Sequence, residues 1–215
     1  KDINGSGAHL LEIINNLLQG RLPVLGARNE WQALKRLSDV GVSTMEPVLY
    51  CENGTNPAAR RSAILTRSLE EHISLEDYET DDPVFKRALI HLIAEMAKNM
   101  HAAGINHRDF YLCHFLLKRT DSQLFELRLI DLHRAQLRQQ VPDRWLEKDI
   151  GGLLFSALEK EITLRDLLRF VRWYRGDLSS IRTDADFWRG VVRRAEKLYL
   201  QDHAELPARV KRLFG

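Results

Sequence analysis

The amino-acid sequence predicts an α+β protein in which a small mixed lobe is followed by a larger helical lobe, and three observations lead there. Up to residue 69, apolar residues at helical spacing give way to two β-rich runs separated by turn residues. From Val84 onward the apolar residues recur at helical spacing over long stretches. Between these helices, from Asn106 to Asp131, lies a loop followed by a pair of short strands. The expected division is residues 1–69 for the small lobe and its hinge and residues 70–215 for the helical lobe.

Each element has its own signal. Residues 2–7 are polar and glycine-containing and read as a loop. Leu10, Leu11, Ile13, Ile14, Leu17 and Leu18 recur as on one helix face, with a stop near Gly20. After a turn at Pro23 and Gly26, residues 29–37 read as a helix with Trp31, Leu34 and Leu37 together. Strands are expected over 47–51 and 62–66, with Asn53, Gly54, Asn56 and Pro57 as turn residues between them. Residues 75–78 read as the start of a helix. Residues 84–103 read as a long one, carrying Leu89, Leu92, Ile93, Met96 and Met100 and stopped by Gly104. Strands follow over 115–117 and 127–130, then helices over 148–158, 164–174 and 185–200. Thr163 with Asp166 three residues on has the form of a capping pair.

Composition excludes several classes. The 44% hydrophobic and 29% charged fractions of the 215 residues are those of a globular chain. No apolar run approaches the ~18 residues of a membrane helix. Cys51 and Cys113 are too few and too far apart for a disulfide scaffold or a zinc pair, and they fit a reducing cytosolic compartment. A net charge of +2 argues against nucleic acid as a partner. The charge is unevenly spread: residues 165–215 hold twelve Arg or Lys against seven Asp or Glu. That face is either simply solvated or turned toward an anionic glycolipid or membrane surface.

The chemistry concentrates in Asn106-His107-Arg108-Asp109-Phe110-Tyr111-Leu112-Cys113-His114. An Asp in a loop between a long helix and a short strand can accept a hydroxyl proton and aim the oxygen at a phosphorus atom. The next strand ends in Ile130-Asp131, where a carboxylate can hold a phosphate-bridging Mg²⁺. On pattern alone, both carboxylates could instead be capping turns. Arg134 could meet a phosphate or an acidic sugar, or pair with a carboxylate. Trp145, Trp173 and Trp188 read as packing residues, and Cys113 as buried rather than nucleophilic.

Residues 107–117 with Ile130-Asp131-Leu132-His133-Arg134-Ala135-Gln136 resemble the lipopolysaccharide core heptose kinase family of Gram-negative bacteria, a divergent branch of the protein-kinase-like fold. So do Arg21-Leu22-Pro23-Val24-Leu25-Gly26-Ala27-Arg28-Asn29-Glu30-Trp31 and Arg144-Trp145 with Lys148-Asp149. The resemblance runs from about residue 10 to 175. It implies ATP and Mg²⁺ as cofactors and a sugar hydroxyl of the lipopolysaccharide core oligosaccharide as acceptor. The implied location is cytoplasmic, with peripheral contact to the inner membrane.

Residue by residue, the resemblance makes Asp109 the catalytic Asp and Asp131 the metal carboxylate. His114 stands where other kinases place a metal-binding Asn. Glu30 would pair with the phosphate-binding Lys, for which Lys1 is the upstream candidate. Thr66 and Leu69 would belong to the adenine-binding hinge, and Asp149 with His107 would support the catalytic loop. Leu132 and His133 replace the Phe and Gly that usually follow the metal Asp. The chain starts at Lys1 without Met, and no glycine-rich phosphate cover precedes Glu30. The expectation is therefore a small lobe incomplete at its start. Two rival readings stay open: a kinase of this fold acting on another core sugar or a protein hydroxyl, and a non-catalytic scaffold with the same fold.

Overall fold

The computed structural model describes residues 27–54, 61–119 and 125–214. The helix expected over 10–20, Lys1, and the turn residues Asn56 and Pro57 lie outside the described residues.

Helix α1 (Ala27–Asp39) buries Ala33, Leu34 and Leu37 completely, so the apolar stripe seen in the sequence is its core face. It stops at Gly41, whose φ of +72° turns the chain out of the helix. Strands β1 (Pro47–Asn53) and β2 (Arg61–Thr66) form an antiparallel ribbon with Cys51 opposite Ala63. The Ala27 amide donates to Ser62 Oγ at 2.8 Å and ties the start of α1 to this ribbon.

The short β3 (Ile73–Ser74) comes next. A helix was expected to begin at residues 75–78, and the structure corrects this: residues 75–77 are a turn. Ile73 and Ser74 are claimed by long-range pairing with Leu117 and Leu116. The Ser74 hydroxyl then takes the Glu76 amide and the Ser74 carbonyl the Asp77 amide. Those hydrogen bonds close a turn instead of opening a helix.

Helix α2 (Pro83–Ala102) opens where the sequence signals it. Asp82 Oδ1 accepts from the amides of Val84 at 2.8 Å and Phe85 at 3.2 Å, and Pro83 has no amide to leave unpaired. Beyond it, β4 (Ile105–Asn106) pairs with β7 (Gln136–Leu137), while β5 (Phe115–Arg119) sits between β3 and β6 (Phe125–Leu129) in a three-stranded antiparallel sheet. Five helices complete the chain: α3 (Asp143–Ala157), α4 (Leu164–Arg175), α5 (Ser180–Thr183), α6 (Ala185–Asp202) and α7 (Ala208–Phe214). At the start of α4, Thr163 and Asp166 form the reciprocal capping box.

The main core joins α1, the β5–β6 hairpin, α2 and α3. Phe110, Phe115, Leu117, Leu127 and Leu129 are sealed inside it, each worth about 1.5–3 kcal/mol on removal from water. Helix α3 packs against α6 closely enough that a side chain at Gly151 would run into Arg194. The segment between α1 and β1 is held to the hairpin: Thr44 Oγ1 donates to the Leu129 carbonyl at 2.7 Å, and the Leu129 amide donates to Ser43 O at 3.0 Å. The small sheet-bearing lobe and the helical lobe therefore meet along the strand that leads to Asp131.

Candidate active site

Asp149, in α3, is completely buried and organises the loop that follows β4. Its carboxylate accepts from the His107 amide at 2.7 Å and the Arg108 amide at 2.8 Å, and from His101 Nε2 at 3.3 Å. Arg108 lies in the left-handed region at φ +78°, a conformation that a non-glycine residue keeps only where its surroundings hold it. Asp149 is that hold, because both amides must point the same way to reach it. With the His101 proton on Nε2, Nδ1 accepts from the Tyr174 hydroxyl at 2.8 Å. Burial pushes the Tyr174 phenol well above its ordinary range, so it stays a donor.

His107 is wholly buried, and its Nε2–H donates to the Ile130 carbonyl at 2.9 Å. Burial lowers its pKa despite the nearby Asp149 charge, so the ring is a neutral strut between the loop and the strand end before Asp131. Its ring stacks on His114 at 5.6 Å.

Asp109 and Asp131 are brought together through His114. His114 Nδ1 bonds the Asp109 carbonyl at 2.6 Å, and its Nε2 lies 3.3 Å from Asp131 Oδ2. A carbonyl can only accept, so Nδ1 carries a proton and Nε2 is the nitrogen aimed at Asp131. Asp131 adopts a left-handed conformation at φ +63°, and its other oxygen pairs with His133 Nδ1. From the 3₁₀ turn that follows, Arg134 returns to Asp109: one guanidinium nitrogen lies 2.9 Å from each carboxylate oxygen.

Glu30 stands in the first turn of α1, which packs on that same 3₁₀ turn. Asn29 Nδ2 fixes the contact by donating to the Ala135 carbonyl at 2.5 Å. Burial raises the Glu30 pKa first, the Asp131 charge raises it further, and His133 works in the opposite direction. Glu30 and Asp131 are therefore near neighbours of like charge. Among the described residues no three His, Cys, Asp or Glu side chains converge as a metal cage.

The other expected residues fall elsewhere. Thr66 ends β2 with its hydroxyl 3.8 Å from Met45 Sδ. Leu69 lines a surface cleft with Arg67, Lys118 and Glu126, away from Asp109. Cys113 is half-buried, and burial raises its thiol pKa. Trp145, Trp173 and Trp188 pack against the main core.

Sequence reasoning missed His101 and Tyr174 behind Asp149, and it missed Ser156, whose hydroxyl accepts from the Leu112 amide at 2.9 Å. The Arg134 pairing stood there as one of two options, and the carboxylate option is the one observed.

The order of parts is that of a protein-kinase-like phosphotransferase: a helix bearing Glu, an antiparallel ribbon, a long helix, a His-Arg-Asp loop and a strand-end Asp. A sequence model of the lipopolysaccharide kinase (Kdo/WaaP) family matches residues 6–174, and the chain belongs to that family. It is 48% identical over 199 residues to the lipopolysaccharide core heptose(I) kinase WaaP of Pseudomonas aeruginosa, covering 87% of this chain and 74% of that protein. To the protein of the same name from Escherichia coli K12 it is 50% identical over 181 residues, covering 79% and 68%. A solved structure of WaaP in complex with acyl carrier protein superposes with a TM-score of 0.74 at 46% identity, over 81% of this chain and 77% of that one.

Proposed function

We propose that this protein is an ATP- and Mg²⁺-dependent kinase that phosphorylates a heptose hydroxyl of the lipopolysaccharide inner core. The observation that carries the reading is the single wired unit of Asp109, His114, Asp131 and Arg134. His114 lies between the Asp109 backbone carbonyl and the Asp131 carboxylate, and Arg134 holds the Asp109 carboxylate, so the two acidic residues are set side by side.

In this reading residues 1–69 form the nucleotide-side lobe and hinge and residues 70–215 the acceptor-side lobe. Asp109 accepts the proton of the acceptor hydroxyl and aims the oxygen at the γ-phosphorus. Arg134 leaves Asp109 as the acceptor arrives and turns its charge to the transferring phosphoryl group. Asp149 and His107 keep the loop from shifting by the ångström that would misalign attack.

The donor set suits Mg²⁺, which takes one or two carboxylates and leaves its other positions to water and phosphate oxygens. Asp131 would hold it, with His114 Nε2 beside it and Glu30 turned toward the phosphate-binding Lys. Bound there, the metal would neutralise charge on the nucleotide phosphates. Thr66 and Leu69 belong to the segment that would meet adenine.

The partner seen with the solved WaaP extends to this chain as acyl carrier protein. The basic residues after 164 suit peripheral contact with an anionic membrane surface.

The test is transfer of labelled γ-phosphate to dephosphorylated core oligosaccharide. Asp109→Asn should lower turnover about 10²–10⁴-fold while ATP affinity stays the same. Turnover retained within threefold would remove Asp109 from the reaction.

A further inference from the structure

Trp145, in the first turn of α3, is surrounded by positive charge. Lys148 Nζ lies 5.3 Å from the centre of its ring, and the guanidinium carbons of Arg138, Arg144 and Arg108 lie at 5.7, 5.7 and 5.9 Å. Arg138 is committed to Asn106 and Gln136, and Arg144 stands in solvent.

Lys148 is in a different position. It is half-buried and makes no ion pair among the described residues. Glu147, next to it in sequence, lies against Gly190 and has Arg193 for its cationic neighbour. Across the α3–α6 contact, Arg194 packs on Gly151, and its Nε is buried without a hydrogen-bond partner among the described residues.

Burial lowers the Lys148 pKa first, and the charges of Arg108, Arg134 and Arg194 lower it further, with Asp109 opposing them. Asp109 is already engaged by Arg134. Like charges crowded on a half-buried ammonium carry a standing cost, which an anion placed among them relieves. Arg108 precedes Asp109 in the loop and shares the Trp145 ring with Lys148, so the cluster borders Asp109 from the α3 side.

We propose that Lys148 and Arg194, reinforced by Arg108, form an anion subsite that takes a carboxylate or phosphate group carried by the acceptor next to the hydroxyl Asp109 activates. The subsite rests on the reading of Asp109 as the catalytic Asp. It would make the enzyme selective for a charged acceptor, because a neutral sugar in the same place leaves the ammonium uncompensated. A guanidinium fork and an ammonium together suit a carboxylate and a phosphate equally well.

The experiment measures affinity by calorimetry and phosphate transfer in parallel, with core oligosaccharide whose acceptor heptose was never phosphorylated, in three forms: untreated, phosphatase-treated and carboxyl-reduced. The wild-type protein should bind one treated form about tenfold more weakly than the untreated one; which form weakens identifies the group read. Lys148→Gln should bind all three forms alike at the weakened level, and Lys148→Arg should restore discrimination. Arg194→Gln should shrink the ratio in the same direction, so a Lys148 variant that misfolds leaves the idea exposed to a second test. Equal wild-type affinity for the three forms would overturn the subsite, as would a Lys148→Gln loss of the same factor for each. Transfer without discrimination removes the subsite and leaves the kinase reading standing. Discriminating binding without transfer supports the subsite and removes the kinase reading.

Discussion

The β1–β2 ribbon and the His107–Asp109 loop are held in opposite ways. In the described ribbon no residue is buried, and Val48, Leu49 and Leu65 stand more than half exposed. A two-stranded ribbon is marginal by itself, and this one leans on α1. The loop has Asn106 and His107 wholly buried, a strained Arg108, and a carboxylate beneath it that takes both of its amides. The lesson is about where precision is kept. The helical lobe holds the loop that carries Asp109 through buried hydrogen bonds, while the ribbon side is left less constrained.

The comparison breaks first at Asp149. Asp149→Ala orphans the His107 and Arg108 amides in a buried site, at about 1–3 kcal/mol each, and frees the strain at Arg108. Urea unfolding should show a loss of that size, and phosphate transfer should vanish in the protein that remains folded. A variant with native stability would mean the loop holds itself.

Gly104→Ala comes next. Gly104 has φ +76°, and a Cβ there would come within 2.1 Å of the Arg138 carbonyl oxygen, so the β4–β7 pair that supports the loop must move. A loss of about 2 kcal/mol or more in thermal or urea unfolding is expected. A neutral result would place that pair outside the support of the loop.

A smaller effect should appear at low pH through Asp166. Burial works to raise its pKa, but the Thr163 hydroxyl and amide and the Lys86 ammonium outweigh it and hold the carboxyl below its ordinary 3.8. The folded protein therefore holds that proton less tightly than the unfolded chain. The stabilisation is present above 3.8 and is lost as pH falls through the lower folded-state value. Melting temperatures of wild type and Asp166→Asn should converge as the pH is lowered from about 5 to 2; parallel curves would show that the carboxylate is not the acid-sensitive group there.

The smallest effect belongs to the ribbon. Leu49 is 55% exposed, and Leu49→Ala should change stability by no more than about 0.5 kcal/mol. A loss above 2 kcal/mol would show that the ribbon is as tightly held as the loop and erase the contrast.

How much of this was legible beforehand depended on distance along the chain. The helix from Val84 could be read from its apolar spacing, and the start of α4 because Thr163 and Asp166 cap each other. The carboxylates Asp109, Asp131 and Asp149 could be picked out because their immediate neighbours form ordered motifs. The turn at 75–77 was misjudged because its cause is pairing between Ile73 and Leu117, far apart in sequence.

By itself, then, the sequence determined the α+β class, most helices of the helical lobe, and which acidic residues were available for phosphoryl transfer. Apolar periodicity and capping are local, and a few neighbouring side chains carry them. Only the tertiary structure decided what those acids touch: His114 between Asp109 and Asp131, Arg134 returning to Asp109, Tyr174 and His101 standing behind Asp149, and Lys148 set over Trp145 with no ion pair among the described residues. Those partners come from different elements, and which charge meets which follows from how α2, α3, α4, α6 and the β5–β6 hairpin pack around one core.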